Sequence, residues 1–323
     1  MPTQDYLKRF GTIALFDPEE GVTVREPLAR GPGWWAGAPG VFYDEDSRQF
    51  YLVYRLRKPR ELGRGVEVRL AASQDGVTYE DFWRLEKTEL NSPSIERCSI
   101  FKGLDGKWRL YLSYVDPADD RWRTDVLEAE APDGFRAENR HKVFTADDIG
   151  GEGVKDPVVF VVGRLYYLLL SYAQRVPVAP EDEARKHATA DIFNTGLTIS
   201  SSGLAVSTDG INFTWLGDIA PPRTGWDDYC LRLGAVVYTP PVFTVFYDGS
   251  ASVAENYEEK CGLAQTFDLQ HYRKVSRDGP ILTSPQGSGS LRYLDVVRVD
   301  ERLYYYYEYA CADGSHELRV NVV

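Results

Sequence analysis

The sequence predicts an all-β fold, a five-bladed β-propeller with four-stranded blades, in one domain over residues 1–323. Three observations support this prediction. Short apolar strands separated by tight turns recur along the chain, a tyrosine closes the second strand of each repeat, and helical periodicity is almost absent. Repetition at a nearly constant interval is the signature of a repeat architecture. The repeating tyrosines lie 60, 58, 75 and 62 residues apart and are Tyr54, Tyr114, Tyr172, Tyr247 and Tyr309.

The first repeat illustrates the pattern. A Gly-rich approach at residues 31–40 leads into a short apolar segment, and the second strand follows at residues 49–55. The third strand, residues 66–73, alternates in polarity and ends before Asp75-Gly76, a dipeptide that favours tight turns. A fourth strand is predicted at residues 82–90. One repeat therefore contains the four strands of one blade.

The later repeats keep this order of strands. The fifth repeat runs out of chain after three strands, so we expect an N-terminal strand to supply its fourth strand and close the ring. Closure of this kind removes exposed sheet edges. Residues 12–16 and 21–25 are the candidate N-terminal strands.

Composition disfavours several functional classes. A net charge of −12 argues against a nucleic-acid-binding protein, because phosphate contacts need a basic surface. No apolar run reaches the roughly 20 residues of a membrane helix and no secretion signal is recognisable, so we expect no membrane partner and a cytoplasmic location. The histidines and cysteines lack metal or redox spacing, which predicts no metal site and no cofactor. The cysteines are expected to be buried thiols and are Cys98, Cys230, Cys261 and Cys311.

Two segments do not fit the blade pattern. Residues 176–194 form a charged insertion with a short helix predicted after Pro180, and residues 248–260 form an acidic loop. Long loops in a compact repeat protein are often functional, and we expect the first insertion to cover the axial opening. A solvated excursion is the alternative.

The starts of the first strands carry charged residues of both signs. In a propeller these strands line the central channel, so residues far apart in sequence converge there. Paired carboxylates in a concave site can serve as general acid and base in glycoside cleavage. The predicted catalytic residues are Glu96, Asp156 and Asp295. Structural ion pairs lining the channel are the alternative interpretation.

Further residues near these positions are candidates for substrate binding. Cationic side chains can bind sugar hydroxyls or an anionic group, and aromatic rings can stack on sugar rings, although each aromatic residue alone could simply pack in the core. The predicted substrate-binding residues are Trp35, Arg97, Lys155, Trp226, Asp228, Tyr229, Arg232, Asp248, Glu258 and Arg292.

Several short motifs resemble those of a known superfamily. Gly-Val-Lys-Asp-Pro-Val at 153–158, Phe-Tyr-Asp-Gly-Ser at 246–250 and Gly-Leu-Ala-Gln-Thr-Phe-Asp-Leu at 262–269 are similar to the repeated motifs of five-bladed propeller glycosidases, families 43, 32, 68 and 130 and their relatives. The resemblance implies a carbohydrate substrate, and proteins of this type often hold an axial ion. Two departures affect the catalytic set. Family 43 places a base aspartate where this chain has Ala38-Pro39, and residues 155–158 lack the glutamate and arginine of family 130.

The sequence therefore predicts an inverting glycoside hydrolase that acts in the axial pocket, with Glu96 and Asp156 as acid and base in an order left open. Two alternatives remain at this point. A glycoside phosphorylase would use phosphate held by the ring of Arg and Lys residues. A non-catalytic carbohydrate-binding propeller would account for Ala38.

Overall fold

The computed structural model describes residues 15–323, and in that range the chain is all-β, as predicted. One short α-helix, α1 (Pro180–Glu183), lies in the first predicted insertion. The strands are β1 (Val22–Arg25), β2 (Trp35–Asp44), β3 (Gln49–Arg57), β4 (Gly65–Ser73), β5 (Glu80–Glu86), β6 (Ser99–Lys102), β7 (Trp108–Val115), β8 (Trp122–Ala129), β9 (Arg140–Phe144), β10 (Gly153–Val162), β11 (Leu165–Ala173), β12 (Ser200–Ser207), β13 (Thr214–Asp218), β14 (Cys230–Thr239), β15 (Val242–Ser250), β16 (Lys260–Thr266), β17 (Arg273–Lys274), β18 (Leu291–Val299), β19 (Arg302–Ala310) and β20 (His316–Val322). The 3₁₀ turns are Pro18–Glu20, Arg60–Leu62, Lys87–Leu90, Ala137–Asn139, Asp147–Ile149, Ile192–Asn194 and Val253–Glu255.

The strands pair antiparallel in groups of four. The groups are β2 to β5, β6 to β9, β10 to β13, β14 to β17, and β18 to β20 with β1. We call them units 1 to 5. Single parallel bridges, Trp35 to His316 and Ser200 to Cys230, join unit 5 to unit 1 and unit 3 to unit 4.

The first strands of the units lie beside one another. Strand β2 contacts β6, β6 contacts β10, β10 contacts β14, β14 contacts β18, and β18 contacts β2. These five strands therefore surround one central region, and the side chains at their starts converge on it.

The N-terminal part of the chain supplies the fourth strand of unit 5. Strand β1 pairs antiparallel with β20, with Val22 opposite Val320. The other candidate, residues 12–16, lies mostly outside the described residues. Phe16 is not in a strand; its ring stacks on Tyr305 at 4.6 Å and so fills the core beside unit 5.

The strand predicted at residues 82–90 is wrong in its C-terminal half. Strand β5 ends at Glu86, and Lys87–Leu90 forms a 3₁₀ turn. The reason is a capping box, in which the side chain of Glu89 accepts a hydrogen bond from the backbone of Glu86 at 2.9 Å, and the side chain of Glu86 accepts one in return.

One turn design joins the third and fourth strands of three units. In unit 1, Asp75 Oδ1 accepts hydrogen bonds from the backbone N–H groups of Val77 and Thr78 at 2.8 and 2.7 Å. The hydroxyl of Ser73 accepts one from Gly76 at 2.9 Å, and the φ of +73° at Gly76 suits a residue without a side chain. The same contacts recur around Asp209 and Asp268.

Four of the five repeating tyrosines tie the second strand of their unit to an aspartate elsewhere in the chain. In four units the tyrosine hydroxyl donates a hydrogen bond to an aspartate, in keeping with the rule that polar groups inside a protein are paired. The fifth tyrosine, Tyr309, has a buried hydroxyl without a partner among the described residues. The pairs are Tyr54 with Asp81 at 2.8 Å, Tyr114 with Asp125 at 2.7 Å, Tyr172 with Asp218 at 2.7 Å, and Tyr247 with Asp227 at 3.2 Å.

Candidate functional site

Four of the first strands, β2, β10, β14 and β18, contain a bulge at the same place, and in three of them the bulged residue has a positive φ. The pairing register of β2, β10 and β18 with the following strand breaks there, and Ala38, Asp156 and Tyr293 adopt φ values of +51°, +57° and +52°. A bulge turns a side chain out of the regular alternation, and positive φ in residues other than glycine is strained. Asp156 and Tyr293 therefore occupy the position that Ala38 occupies in unit 1.

Charged side chains fill the central region around these bulges. We call ten of them the axial cluster, since each is at most 4% exposed and each takes part in, or lies beside, one set of ion pairs. Five are cations and five are carboxylates, so their charges balance when all are ionised. The axial cluster consists of Arg55, Arg57, Lys155, Arg232, Arg292, Glu96, Asp156, Asp248, Glu259 and Glu308.

One half of the axial cluster is organised by Arg55 and Arg292. Arg55 forms ion pairs with Glu96 and, at 3.1 Å, with Glu308. Arg292 binds the other oxygen of Glu308 at 2.7 Å and Glu259 at 2.7 Å. Each carboxylate is therefore held in a fixed orientation by a planar guanidinium group.

Arg232 organises the other half. Its Nη2 lies 2.8 Å from Asp248 Oδ2, and its Nη1 lies 3.2 Å from Asp156 Oδ2. Lys155 Nζ lies 3.7 Å from the same Asp156 oxygen. The second oxygen of Asp156, Oδ1, is buried without a hydrogen-bond partner among residues 15–323.

Tyr293 lies between the two halves. The guanidinium of Arg232 is 4.0 Å and that of Arg292 is 4.9 Å from the centre of its ring. Its hydroxyl donates to Glu96 Oε2 at 3.3 Å, and its backbone N–H donates to Asp248 Oδ1 at 3.0 Å. The bulge in β18 thus places one aromatic ring against cations and carboxylates from both halves.

The surrounding charges shift the pKa values of Glu96 and Asp248 in opposite directions. Burial alone would raise the pKa of Glu96, but Arg55, Lys155 and Arg57 outweigh it and lower that pKa to about 2. Burial raises the pKa of Asp248, and Arg232 opposes the rise only in part. Glu96 is therefore an ionised carboxylate at neutral pH, which suits a base rather than a proton donor.

Two loops close over the axial cluster. We call residues 174–199 and 251–259, which connect β11 to β12 and β15 to β16, the lid. The hydroxyl of Tyr257 makes a short hydrogen bond with Asp191 and accepts another from Asn194 at 3.0 Å, so the two loops are tied together. The ring of Phe193 lies 4.6 Å from Lys155 Nζ. Both insertions identified in the sequence thus meet over the central region.

Asp191 anchors the lid to the units below. It accepts a hydrogen bond from the indole N–H of Trp122 at 3.0 Å and lies 3.3 Å from Arg64. Tyr229, predicted to bind substrate, donates its hydroxyl to the carbonyl of Phe193 at 2.6 Å and so supports the lid from beneath.

The structure brings most of the predicted site residues together. Trp35 lies at the edge of the axial cluster, where its ring is stacked on His316 at 4.4 Å. Glu258 lies on the same rim, 3.1 Å from His316 Nε2. The predicted residues inside the axial cluster are Glu96, Lys155, Asp156, Arg232, Asp248 and Arg292.

Four predicted residues make their contacts elsewhere. Asp295 accepts from the backbone of Val41 at 2.8 Å and lies 3.9 Å from Arg97, whose Nε donates to the carbonyl of Pro39 at 3.0 Å. The indole N–H of Trp226 donates to the backbone of unit 4 at 3.2 Å, and the exposed Asp228 accepts from a neighbouring turn at 2.9 Å. Arg97 still approaches the ring of Tyr293, at 5.9 Å, whereas no contact joins the other three to the axial cluster.

Sequence reasoning missed four of the ten residues of the axial cluster, and it also missed Tyr293. Arg55 and Arg57 end a strand that is otherwise apolar, and Glu308 interrupts a run of tyrosines. Charges inside apolar strands are costly unless they are paired, and this signal could have identified them. Glu259 follows Glu258 in the acidic loop and carries no such signal.

The described residues also show what surrounds the site. A cavity of about 580 Å³ is formed mostly by the lid and is lined by Arg121, Glu152, Arg175, Val176, Pro177, Glu183, Lys186 and His187. Within residues 15–323, no group of three or more His, Cys, Asp or Glu side chains is arranged to hold a metal ion. None of the helices in this part of the chain is long and apolar enough to cross a membrane.

Solved structures share this fold over most of the chain. A glycosyl hydrolase from Bacteroides ovatus is 14% identical, with a TM-score of 0.61 over 91% of this chain and 84% of its own. The β-1,2-mannobiose phosphorylase of Listeria innocua, solved with β-1,2-mannobiose, is 14% identical, with a TM-score of 0.60 over 93% and 92%. A family-43 enzyme from Xanthomonas citri, solved with xylotriose, is 12% identical, with a TM-score of 0.61 over 93% and 90%.

No family model and no curated protein matches this sequence. The chain shares its fold with glycoside hydrolases and with a glycoside phosphorylase, at an identity where the likeness shows the fold alone.

Proposed function

We propose that the chain is a glycoside hydrolase of inverting mechanism whose substrate binds at the axial cluster of a single-domain, five-bladed β-propeller. The five units would be the blades, and the contacts that run from β2 through β6, β10, β14 and β18 back to β2 support that arrangement. One observation carries the functional proposal. Two carboxylates from different units, Glu96 and Asp156, converge on one buried cluster in which Glu96 is held ionised.

In this proposal Glu96 is the base. Its ionised carboxylate accepts a proton from the attacking water, and Arg55 and Tyr293 fix its orientation. Asp156 is the proton donor to the leaving oxygen, because its Oδ1 has no other hydrogen-bond partner in the described chain. Inversion requires the two carboxyl groups to act on opposite faces of the sugar, with room for a water beside the base.

The lid would control access to these groups. Glu96 and Asp156 are 4% and 1% exposed, so substrate reaches them only when the lid moves. The Tyr257 hydroxyl, shared with Asp191 and Asn194, is the tie that must break. Closure over bound substrate would exclude bulk water and strengthen the electrostatic interactions of the site.

The test is the turnover of a panel of aryl glycosides and oligosaccharides by purified protein. Glu96→Gln and Asp156→Asn should each reduce turnover at least 100-fold. Asp295→Asn is the matched control, because Asp295 is a partly buried carboxyl group of a first strand and has no contact with the axial cluster. Loss of activity in the control alone would refute the assignment.

A second measurement separates the roles of the carboxyl groups. A variant that lacks the proton donor retains activity on substrates with a good leaving group, such as 2,4-dinitrophenyl glycosides, because these need little protonation. Asp156→Asn should show this rescue, and Glu96→Gln should not. If Asp248→Asn shows it instead, the carboxyl group with the raised pKa is the donor.

A phosphorylase is the second candidate, and the cations around Glu96 favour it. Lys155 and Arg57 both act on this carboxylate, and Arg57 forms no ion pair with any described residue. Addition of inorganic phosphate with detection of a sugar phosphate distinguishes phosphorolysis from hydrolysis. Sugar binding without turnover under either condition would indicate a carbohydrate-binding protein.

A further inference from the structure

One cation of the axial cluster differs from the other four. Arg57, at the end of β3, is 2% exposed, and it makes no side-chain hydrogen bond or ion pair with any residue in the described part of the chain. Burial lowers the pKa of its guanidinium, and the neighbouring Arg55 lowers it further. Its Nε is buried without a hydrogen-bond partner in the described chain, whereas Nη1 and Nη2 are not fully enclosed. A guanidinium that is this nearly buried and has no ion pair is unfavourable, so its retention suggests that a partner arrives from outside.

Among the described residues, Arg57 contacts aromatic rings but makes no hydrogen bond to an acceptor. Its guanidinium carbon lies 4.0 Å from the ring centre of Trp35 and 4.7 Å from that of Tyr257. These contacts stabilise a cation without hydrogen bonding to it. The hydroxyl of Tyr257 is already engaged by Asp191.

A second donor beside Arg57 is also unsatisfied. The indole N–H of Trp35 is buried and has no hydrogen-bond partner among residues 15–323. Buried donors are nearly always paired in folded proteins. Two unpaired donors in contact with each other therefore mark a place where an acceptor is missing.

Shape and charge indicate which acceptor fits. A guanidinium presents parallel N–H groups that match the two oxygens of a planar carboxylate. Glu96 and Glu308 lie nearby, since both bind Arg55, and they make a dianion less favourable than a monoanion. A carboxylate with a single charge is thus better suited than a phosphate.

We propose that the axial cluster binds an acidic sugar, of the hexuronic acid class, whose carboxylate accepts hydrogen bonds from Arg57 and Trp35. This inference rests on the proposed function only in that the axial cluster binds carbohydrate. Lid closure then places Tyr257 over the ion pair between the sugar carboxylate and Arg57, and the sugar ring extends towards Glu96 and Asp156.

The experiment compares ligands that differ only at C6. Binding of D-glucuronate and D-galacturonate is measured by calorimetry against D-glucose and D-galactose, and turnover of 4-nitrophenyl glucuronides and galacturonides is measured against the matching glucosides and galactosides. We expect at least one acid to be preferred over its neutral counterpart by 10-fold or more. Arg57→Met should abolish that preference, and Arg57→Lys should retain only part of it, because lysine keeps the charge but not the planar pair of donors.

Folding of each variant is verified by its thermal unfolding midpoint. The matched control is Arg84→Met, in which an exposed arginine far from the axial cluster is changed, and it should leave the preference intact. The proposal is overturned if neutral ligands bind as tightly as acids, if no sugar acid binds, or if the preference survives Arg57→Met. It is also overturned if inorganic phosphate, and no sugar acid, shows binding that depends on Arg57.

The outcomes also separate this inference from the proposed function. Turnover of neutral glycosides that depends on Glu96, without any preference for acids, refutes the inference and leaves the hydrolase intact. Binding of a sugar acid that depends on Arg57, without turnover of any glycoside, supports the inference and refutes the hydrolase.

Discussion

Replacement by methionine should destabilise the protein at one arginine of strand β3 but not at another arginine of the same strand. Arg55 and Arg57 both lie in β3, both are at most 2% exposed, and both border the axial cluster. Arg55 pairs with Glu96 and Glu308, whereas Arg57 pairs with no described residue. Methionine has a similar length and no charge, so Arg55→Met and Arg57→Met are a matched test of the pairing.

The magnitudes follow from what each substitution leaves behind. Arg55→Met leaves two buried carboxylates short of a partner, and breaking a buried pair in this way costs about 3–5 kcal/mol. At about 2.1 cal/mol/K of unfolding entropy per residue, the unfolding midpoint of the full chain should fall by roughly 4–7 °C. Arg57→Met removes contacts with two aromatic rings, about 0.5–2 kcal/mol each, but relieves an unpaired buried charge that costs several kcal/mol. We expect that variant to be as stable as the parent protein or more stable.

The assay is thermal and denaturant unfolding of the parent and both variants without added ligand, with circular dichroism to verify the all-β fold. A difference of at least about 3 kcal/mol between the two variants is expected. Equal destabilisation by both substitutions would show that Arg57 has a partner within the protein. The argument for an external anion would then lose its basis.

Three further predictions concern the acid stability, the lid and the thiols. The pKa of Glu96 is lowered from 4.5 to about 2, so its ionised form stabilises the fold above pH 4.5. This contribution, roughly 3 kcal/mol, is lost as the pH falls from 4.5 to 2. The unfolding free energy of Glu96→Gln should therefore change less than that of the parent protein over this pH range, and an identical pH dependence would contradict the pairing of Glu96 with Arg55. Tyr257→Phe should increase the rate of amide hydrogen exchange in the lid roughly 10-fold, because it removes the hydrogen bonds that tie the two loops together. Tyr238→Phe, which changes an exposed ring outside the lid, is the control and should leave the rate unchanged. An unchanged rate in Tyr257→Phe would mean that other contacts hold the lid closed. Only the half-buried Cys311 should react readily with a thiol reagent in the native protein. The remaining cysteines are fully buried, and burial raises their thiol pKa values. Rapid labelling of two or more thiols would refute this prediction.

Much of the fold could be predicted because its signals are local. The alternation of strands and turns, the Asp-Gly turn at residues 75–76 and the repeating tyrosines depend on neighbours close in sequence, and the structure contains the corresponding strands. The error at residues 82–90 has a local cause as well. A reciprocal cap between Glu86 and Glu89 outweighed the apolar pattern that had favoured a longer strand.

The candidate site was harder to predict because its contacts join distant units. Glu96 and Asp156 could be proposed from their places at the starts of first strands, and both lie in the axial cluster. Asp295 satisfies the same sequence criterion, but it lies beyond the bulge of its strand and contacts Val41 instead. A bulge shifts the side chains that follow it, and this shift is not visible in the order of the residues.

By itself the sequence determined the all-β class, the repeat of strands, and the placement of charges and insertions near the starts of the first strands. Only the tertiary structure decided which charges are paired. Arg55 and Arg57 are the same residue type, two positions apart and almost equally buried, yet among the described residues Arg55 holds two carboxylates and Arg57 holds none. The difference arises because the carboxylates come from β19 and from the segment before β6, about 40 to 250 positions away in the sequence.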